Sequence, residues 1–302
     1  MKKTKKILLI ILTSLLLTTG CTKSFRDENT KATYTKNILC KPTEEERIEV
    51  YKNNDIDIDS LPECANLKIQ SGGYEGLWTN IFVKPLAWVI IKVGKIVKNY
   101  GIAIMLLGVL LRLLVLPLSK KTLDMSENMK KANPEIQRLE KKYANRTNQE
   151  SMMQKSQEMM LIYKKYNIKP ASGCLVTFIQ LPLFFAFLEA IQRIPVILEE
   201  TTFGLYLGTT PWQAITNGKW YYIVIVVAIG LSTYFSFKNT QATSVSPEQV
   251  SQTKMMSTIM VVFITIMSFT LNVGVGLYWF ATSAFAILQN FILKKLRENK
   301  DI

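Results

Sequence analysis

The sequence predicts an all-α polytopic membrane protein, with five transmembrane helices after signal removal, a surface amphipathic helix and a cytoplasmic helical hairpin. Hydrophobic residues make up 48% of the 302-residue chain and are concentrated in long runs. Five of these runs are long enough to cross the roughly 30 Å hydrocarbon core of a bilayer. Lys and Arg crowd some of the connecting segments and are sparse in others. The predicted spans lie near residues 101–118, 174–191, 221–237, 255–273 and 275–293.

Residues 1–20 are predicted to be a lipoprotein signal peptide. Four lysines precede an apolar run over residues 7–17, which is too short to span a bilayer. Small residues follow, and Cys21 comes directly after them, a pattern that resembles bacterial lipoprotein signals. Cys21 is therefore the predicted site of lipidation (palmitate), which would anchor a new N-terminus outside the cell. An ordinary signal peptide and a retained anchor are the alternatives.

Residues 21–79 are predicted to be a polar extracytoplasmic segment. Residues 22–77 show no convincing helical or strand period, so the sequence predicts no fold for them. Cys40 and Cys64 lie in this segment, and an oxidising compartment would permit a disulfide between them. Unpaired thiols are equally compatible with the sequence.

Residues 80–98 are predicted to form an amphipathic helix in the membrane surface. Lysines and a tryptophan recur at three- and four-residue spacing, which places them on one stripe of a helix whose remainder is aliphatic. The alternative is an N-terminal extension of the first span. The stripe consists of Lys84, Trp88, Lys92 and Lys95.

Residues 99–302 form the predicted membrane core, and the positive charges predict its orientation. Residues 119–172 contain twelve Lys and Arg, whereas residues 192–219 contain two. Because cytoplasmic loops are enriched in Lys and Arg, residues 119–172 are predicted to lie inside. The chain then begins outside and ends inside a bacterial cell membrane.

Local signals predict how the hairpin over 119–172 is built. Asn133-Pro134-Glu135 carries the cap, first-turn proline and acid of a helix start. Thr147-Asn-Gln-Glu150 has the form of a capping box and predicts a second helix start. Towards the C-terminus, the sequence predicts a polar loop over residues 238–254 and a tight turn at Gly274 and Gly276.

Arg112 is the most informative single residue, because it lies in an otherwise apolar segment. Arginine keeps its charge in proteins, and placing it at mid-membrane costs roughly 3 kcal/mol. The charge therefore needs water or a polar partner, which predicts a polar cavity within the bilayer. Alternatively, the side chain extends to the nearer surface, since Leu118 lies about 9 Å further along a helix.

Four further polar residues of the spans are groove candidates. Gln180 and Gln289 carry amides whose exposure to lipid is unfavourable, so they either hydrogen-bond neighbouring helices or line one polar groove with Arg112. Thr233 and Ser236 lie in the third span. A single Ser or Thr usually bonds to its own helix backbone, so each of these two alone is weak support.

The composition excludes several kinds of chemistry. The chain has no histidine, which removes Ser–His and Cys–His nucleophiles. It has no CxxC or ligand cluster and no Walker-type loop, so no catalytic residue, metal site or cofactor is predicted.

Glu189 is a charged residue near the outer end of its predicted span. Contact with solvent at that end would explain the presence of a charge there.

Four motifs follow one another along the chain in a specific order and spacing. They are Arg112 to Pro117, Gly173-Cys174-Leu175, Gln180-Leu-Pro182-Leu-Phe184 and Leu277-Tyr278-Trp279. Together they resemble those of the YidC-type membrane protein insertases, which belong to the superfamily of the mitochondrial oxidase-assembly insertase. The resemblance covers about residues 78–296 and is strongest to the lipoprotein form of Gram-positive bacteria. Ser236 departs from the family, which often has a polar amide near that position.

The resemblance implies a protein that integrates and helps to fold new membrane proteins without covalent chemistry. It implies a hydrophilic groove open to the cytoplasm and to lipid, with Arg112 at its centre and Gln180 and Trp279 on its walls. Expected partners are nascent membrane proteins, the ribosome, the Sec translocon and membrane lipids, with no nucleic acid other than ribosomal RNA, and the protein is expected to be a monomer. The alternative function is a small polytopic transporter or channel with an anion-attracting pore.

Overall fold

Helices make up most of the chain in the computed structural model, which describes residues 22–27, 32–146, 148–169, 171–241 and 247–299. The predicted signal peptide and Cys21 lie outside these ranges. Two small antiparallel sheets pair β1 (Ser24–Arg26) with β2 (Thr33–Thr35) and β3 (Thr201–Thr202) with β4 (Leu205–Tyr206). The helices are α1 (Glu45–Asn53), α2 (Lys84–Val97), α3 (Tyr100–Leu114), α4 (Leu116–Tyr143), α5 (Gln149–Lys165), α6 (Ala171–Gln192), α7 (Pro195–Leu198), α8 (Pro211–Thr216), α9 (Ile223–Gln241), α10 (Pro247–Ser268) and α11 (Val273–Glu298).

Two of the described helical segments are long and apolar enough to cross a membrane. They are Trp220–Lys238, of 19 residues, and Val273–Leu296, of 24 residues. Only 33% and 44% of their apolar windows are buried, whereas the core helix of a soluble protein is mostly buried. Three shorter apolar helices overlap the other predicted spans but are too short to count as membrane spans themselves, so the number of five spans stays a prediction. These shorter helices are Tyr100–Leu114, Pro182–Gln192 and Lys254–Ser268.

The chain divides into two compact units. The first comprises the described residues up to Leu107 together with Leu181–Tyr222 and Thr270–Tyr278. The second comprises Gly108–Gln180, Ile223–Phe269 and the described part of the chain from Trp279. All six groove candidates belong to the second unit.

The first unit contains a small folded cap, which we define as the described residues from 22 to 77. The sequence predicted no structure here, because the cap depends on contacts between distant residues and not on a helical or strand period. The rings of Phe25, Tyr34 and Tyr51 lie 5.7–5.9 Å apart, centroid to centroid, in its core. Cys40 and Cys64 form a disulfide, so the alternative of unpaired thiols is wrong.

Breaking this disulfide is expected to destabilise the cap by about 3 kcal/mol, because the bond closes a loop of 24 residues in the unfolded chain. The double variant Cys40→Ser/Cys64→Ser should therefore lose protease resistance in the cap at lower denaturant concentration than the parent. Reductant should lower the resistance of the parent to the same level and leave the variant unchanged. Equal resistance of the parent and the variant would contradict the expectation.

In the second unit, α4 and α5 form the predicted hairpin, but α4 begins at Leu116 and Pro134 lies inside it. The prediction of a helix start at Asn133-Pro134-Glu135 is therefore wrong. Ala132 and Ile136, on either side of Pro134, are buried with Ile168, and this packing outweighs the backbone hydrogen bond that the proline removes. The second helix does start where predicted, although its cap is Asn148, whose side chain accepts a hydrogen bond from the Ser151 amide at 3.1 Å.

Two predicted connections also differ from the structure. Helix α10 begins at Pro247, inside the predicted polar loop, because polar residues extend the apolar helix without breaking it. Helix α11 begins at Val273, so Gly274 is helical and the turn lies before it. A β-carbon at Gly274 would lie 3.7 Å from Ile191 and Leu207, which is ordinary contact, so the packing there does not require a glycine.

Candidate functional site

Arg112 lies in the last turn of α3, where the helix dipole favours a cation. The residue is half-buried, and its Nε atom is shielded from solvent. Leu110, Leu113 and Leu114 beside it are 50%, 44% and 68% exposed. The guanidinium therefore lies on a helix whose outward-facing side chains are leucines.

Helices α9 and α11 are joined by a polar contact between two of the predicted groove residues. The Trp279 Nε1 donates a hydrogen bond to the Thr233 hydroxyl at 3.0 Å. Thr233 is fully buried, and Ser236, three residues later on the same face of α9, is half-buried. The structure thus brings Thr233 and Trp279 together.

Polarity is inverted across the second unit. The side chains that point outward from α9, α10 and α11 are large and apolar, including Leu231, Phe263 and Phe291, each more than half exposed. The buried polar side chains of the same three helices are Ser232, Thr233, Ser257, Ser268, Thr282 and Gln289. A water-soluble fold has the opposite arrangement, because apolar groups are driven out of water.

Several of these buried hydroxyls bond to their own helix, as the sequence suggested for an isolated Ser or Thr. Ser232 donates to the Ile229 carbonyl at 3.1 Å, and Thr282 donates to the Trp279 carbonyl at 3.0 Å. These two hydroxyls are therefore satisfied within their helices. Thr233 is different, since it accepts a hydrogen bond from another helix.

The two amides of the candidate groove differ in burial. Gln180 is half-buried in α6. Gln289 is only 4% exposed, and its Oε1 atom has no hydrogen-bond partner within the described part of the chain. A buried carbonyl without a partner costs about 1–3 kcal/mol, so the burial of this atom is unfavourable within the described residues.

Two ion pairs join the helices of the α4–α5 hairpin. The Lys142 ammonium lies 2.6 Å from the Glu158 carboxylate, and Lys165 pairs with Glu135. Hydrogen bonds from Lys142 and from Lys165 hold the pKa of Glu158 and the pKa of Glu135 below the usual range of a carboxyl group. A carboxyl group whose pKa is lower in the folded protein stabilises the fold at pH values above its pKa in the unfolded chain. Both carboxylates therefore contribute at neutral pH, and their contribution is lost as the pH falls and they become protonated.

The sequence missed a buried ion network in the first unit. Arg193, which is 1% exposed, donates to the Asn37 carbonyl at 2.6 Å, to Glu189 at 3.3 Å and to Glu75. Glu189 also accepts a hydrogen bond from the Trp78 indole at 2.9 Å, so the prediction that solvent contact explains Glu189 is wrong. The four-residue spacing of Glu189 and Arg193 was the one available signal.

Lys84 belongs to the same network and not to a surface stripe. Its side chain is 2% exposed and lies 3.2 Å from the Glu75 carboxylate, and it donates to the carbonyls of Ser71 and Gly73. The predicted cationic stripe on α2 is therefore wrong at Lys84. Lys92 is exposed as predicted, with its ammonium 5.9 Å from the centre of the Trp88 ring.

Comparison with known proteins decides the family. The model of the family described as 60Kd inner membrane protein matches residues 92–300. The chain belongs to this family. The predicted resemblance to YidC-type insertases is thereby confirmed, whereas the lipoprotein form stays a prediction. All six groove candidates lie within the matched residues, and the cap lies outside them.

Three bacterial relatives carry insertase names. Membrane protein insertase YidC of Alkalihalophilus pseudofirmus is 34% identical over 238 residues, which are 78% of this chain and 89% of the relative. Membrane protein insertase MisCA of Bacillus subtilis is 33% identical over 218 residues, 72% of this chain and 79% of the relative. Membrane protein insertase YidC of Oceanobacillus iheyensis is 30% identical over 227 residues, 73% of this chain and 85% of the relative. These names indicate no covalent chemistry.

Proposed function

We propose that this protein integrates newly made membrane proteins into a bacterial cell membrane through a hydrophilic groove, without covalent chemistry. The inverted polarity of the second unit carries the proposal. Helices that present apolar side chains outward and polar side chains inward suit a protein that lies in lipid and keeps a polar interior. The relatives are named membrane protein insertases, which suggests that the clients are membrane proteins.

Arg112 would be the receptor for the client. Moving a polar, often acidic, tail across a bilayer is opposed by its loss of hydration, and a wet groove shortens the dry part of the path. A fixed guanidinium would attract the carboxylates of the tail. The apolar segment of the client would then move sideways into lipid, where about 20 apolar residues are strongly favoured.

The other groove candidates would form the polar walls. The Trp279–Thr233 hydrogen bond would fix one wall, with Ser236 on the same face of α9. The buried Gln289 carbonyl suits a site that holds water, and Gln180 would face the same space from α6. Groove water would also hydrate the Arg112 guanidinium. The alternative is that the side chain extends to the membrane surface and is hydrated there.

The proposed topology has five spans, an outside start and an inside end. The disulfide in the cap supports an outside location for the cap, since such bonds persist in oxidising compartments. The signal peptide over 1–20, lipidation at Cys21 and a monomeric state belong to the same proposal. The basic hairpin would meet the ribosome, whose RNA is anionic, or the Sec translocon.

The test is insertion by the purified protein. Vesicles that contain only this chain should protect the short exported tail of a client from external protease, and expression of the chain should restore insertion in cells depleted of their own insertases. Release of small anions from the same vesicles serves as the control for the transporter or channel alternative. Anion release without client insertion would contradict the proposal.

A further inference from the structure

An exposed aromatic ring stands at the tip of the β3–β4 hairpin. Phe203 and Gly204 form its two-residue turn, and both have positive φ, +54° and +77°. Such turns favour Asn-Gly, and a bulky side chain at positive φ is strained. Phe203 is nevertheless 71% exposed, so the fold draws little packing from this strained residue.

The base of the hairpin packs against the start of α3. The Thr202 hydroxyl donates to the Asn99 side chain at 2.9 Å. A β-carbon at Gly101 would lie 2.3 Å from the Thr202 hydroxyl, so the strand packs directly against the backbone of the first turn of α3. The position of the tip is therefore fixed with respect to the start of that helix.

The same hairpin is tied to the starts of two other apolar helices. The Tyr206 amide donates to the hydroxyl of Tyr222, the residue before α9, at 2.8 Å. Beyond β4, the Leu207 carbonyl accepts from the Gly274 amide in the first turn of α11 at 3.1 Å. The hairpin thus lies level with the ends at which α3, α9 and α11 begin.

We propose that Phe203 inserts into the boundary between headgroups and acyl chains of the leaflet at which α3, α9 and α11 begin. Trp220, which is 72% exposed just before α9, would insert at the same depth. Aromatic rings are enriched at this level of a bilayer. Lys219 is exposed beside Trp220 and can pair with a lipid phosphate.

A lipid leaflet fits the tip better than a protein partner does. One aromatic side chain buries about 150–250 Å², well below the roughly 1,000 Å² that a specific protein interface requires. Ile102 and Leu106, apolar residues of α3 in the same unit, are 36% and 49% exposed. A leaflet accepts a single ring without a complementary pocket.

Depth-dependent quenching tests this proposal on the full chain. Phe203→Trp adds one tryptophan to the five already present, and the difference from the parent gives its emission. In phosphatidylcholine vesicles, lipids brominated close to the headgroups should remove most of this emission, lipids brominated at the chain ends less, and aqueous acrylamide little. Asp59→Trp, at an 81% exposed side chain in the acidic part of the cap, is the control and should respond to acrylamide alone.

Two outcomes would overturn the proposal. Emission from Phe203→Trp that acrylamide quenches and brominated lipids do not would place the tip in water. Emission that varies with the ratio of protein to lipid would instead indicate a second copy of the chain at the tip.

A second variant separates lipid contact from packing within the protein. Phe203→Asn places a favoured residue in the turn, so its unfolding temperature in detergent should equal or exceed that of the parent. A lower temperature would show that the ring packs against the protein, which also contradicts the proposal. Neither readout depends on client insertion, so the proposed function can fail while this inference holds.

Discussion

Arg112→Glu is expected to abolish insertion of clients with acidic tails, and Arg112→Ala to slow it on the order of 100-fold. Two opposite charges about 6 Å apart, in an effective dielectric of about 20, attract by about 3 kcal/mol. Arg112→Lys keeps the charge and should keep most of the activity. The measurement is the rate of tail translocation in cells depleted of other insertases.

The control for Arg112→Glu is Lys52→Glu, which makes the same change of charge at an exposed position of the cap. It should insert clients as the parent does. A client whose tail is neutral gives a second control, because Arg112→Ala should slow that client less than one with an acidic tail. Equal activity of the Ala, Lys and Glu variants would exclude the role proposed for the charge.

Arg193→Met is expected to lower the free energy of unfolding of the first unit by about 3–5 kcal/mol. The guanidinium is almost completely buried between Glu75 and Glu189, and its removal would leave these carboxylates without their shared cation. The measurement is thermal unfolding in detergent, with protease cleavage of the cap as the readout. Adding Glu189→Gln should recover part of the loss, because the buried negative charge is then gone as well.

The matched control is Lys142→Met, which removes the cation of the exposed pair with Glu158. Exposed pairs contribute about 0–1 kcal/mol, so this variant should unfold close to the parent. A loss from Arg193→Met no greater than that from Lys142→Met would show that the buried network is not a major source of stability.

Hydropathy located the apolar helices because span length is a local property of the sequence. The starts of α10 and α4 were missed because they depend on contacts and on polar residues that hydropathy does not register. In its local sequence, Pro134 signals the start of a helix. The burial of Ala132 and Ile136 nevertheless stabilises a helix that runs through this proline. Local signals therefore predict helices better than they predict where helices begin.

The candidate groove residues could be named from the sequence, whereas the contacts that they make in the structure could not. Inward-facing polar residues such as Thr233 and Gln289 stood out, because an apolar segment makes any polar residue conspicuous. The network around Arg193 did not, since Trp78 lies 111 residues from Glu189, and Asn37 lies 156 residues from Arg193. Pairings over such distances leave no period in the sequence.

The long separation between the cap and its partners has a consequence for biosynthesis. Thr43 and Asn37 bond to Glu199 and Arg193, each 156 residues further along the chain. At about 5–20 residues per second, a ribosome needs roughly 8–30 s to make that stretch. The cap can form its own disulfide during this delay. It can bond to Arg193 and Glu199 only after those residues have been synthesised.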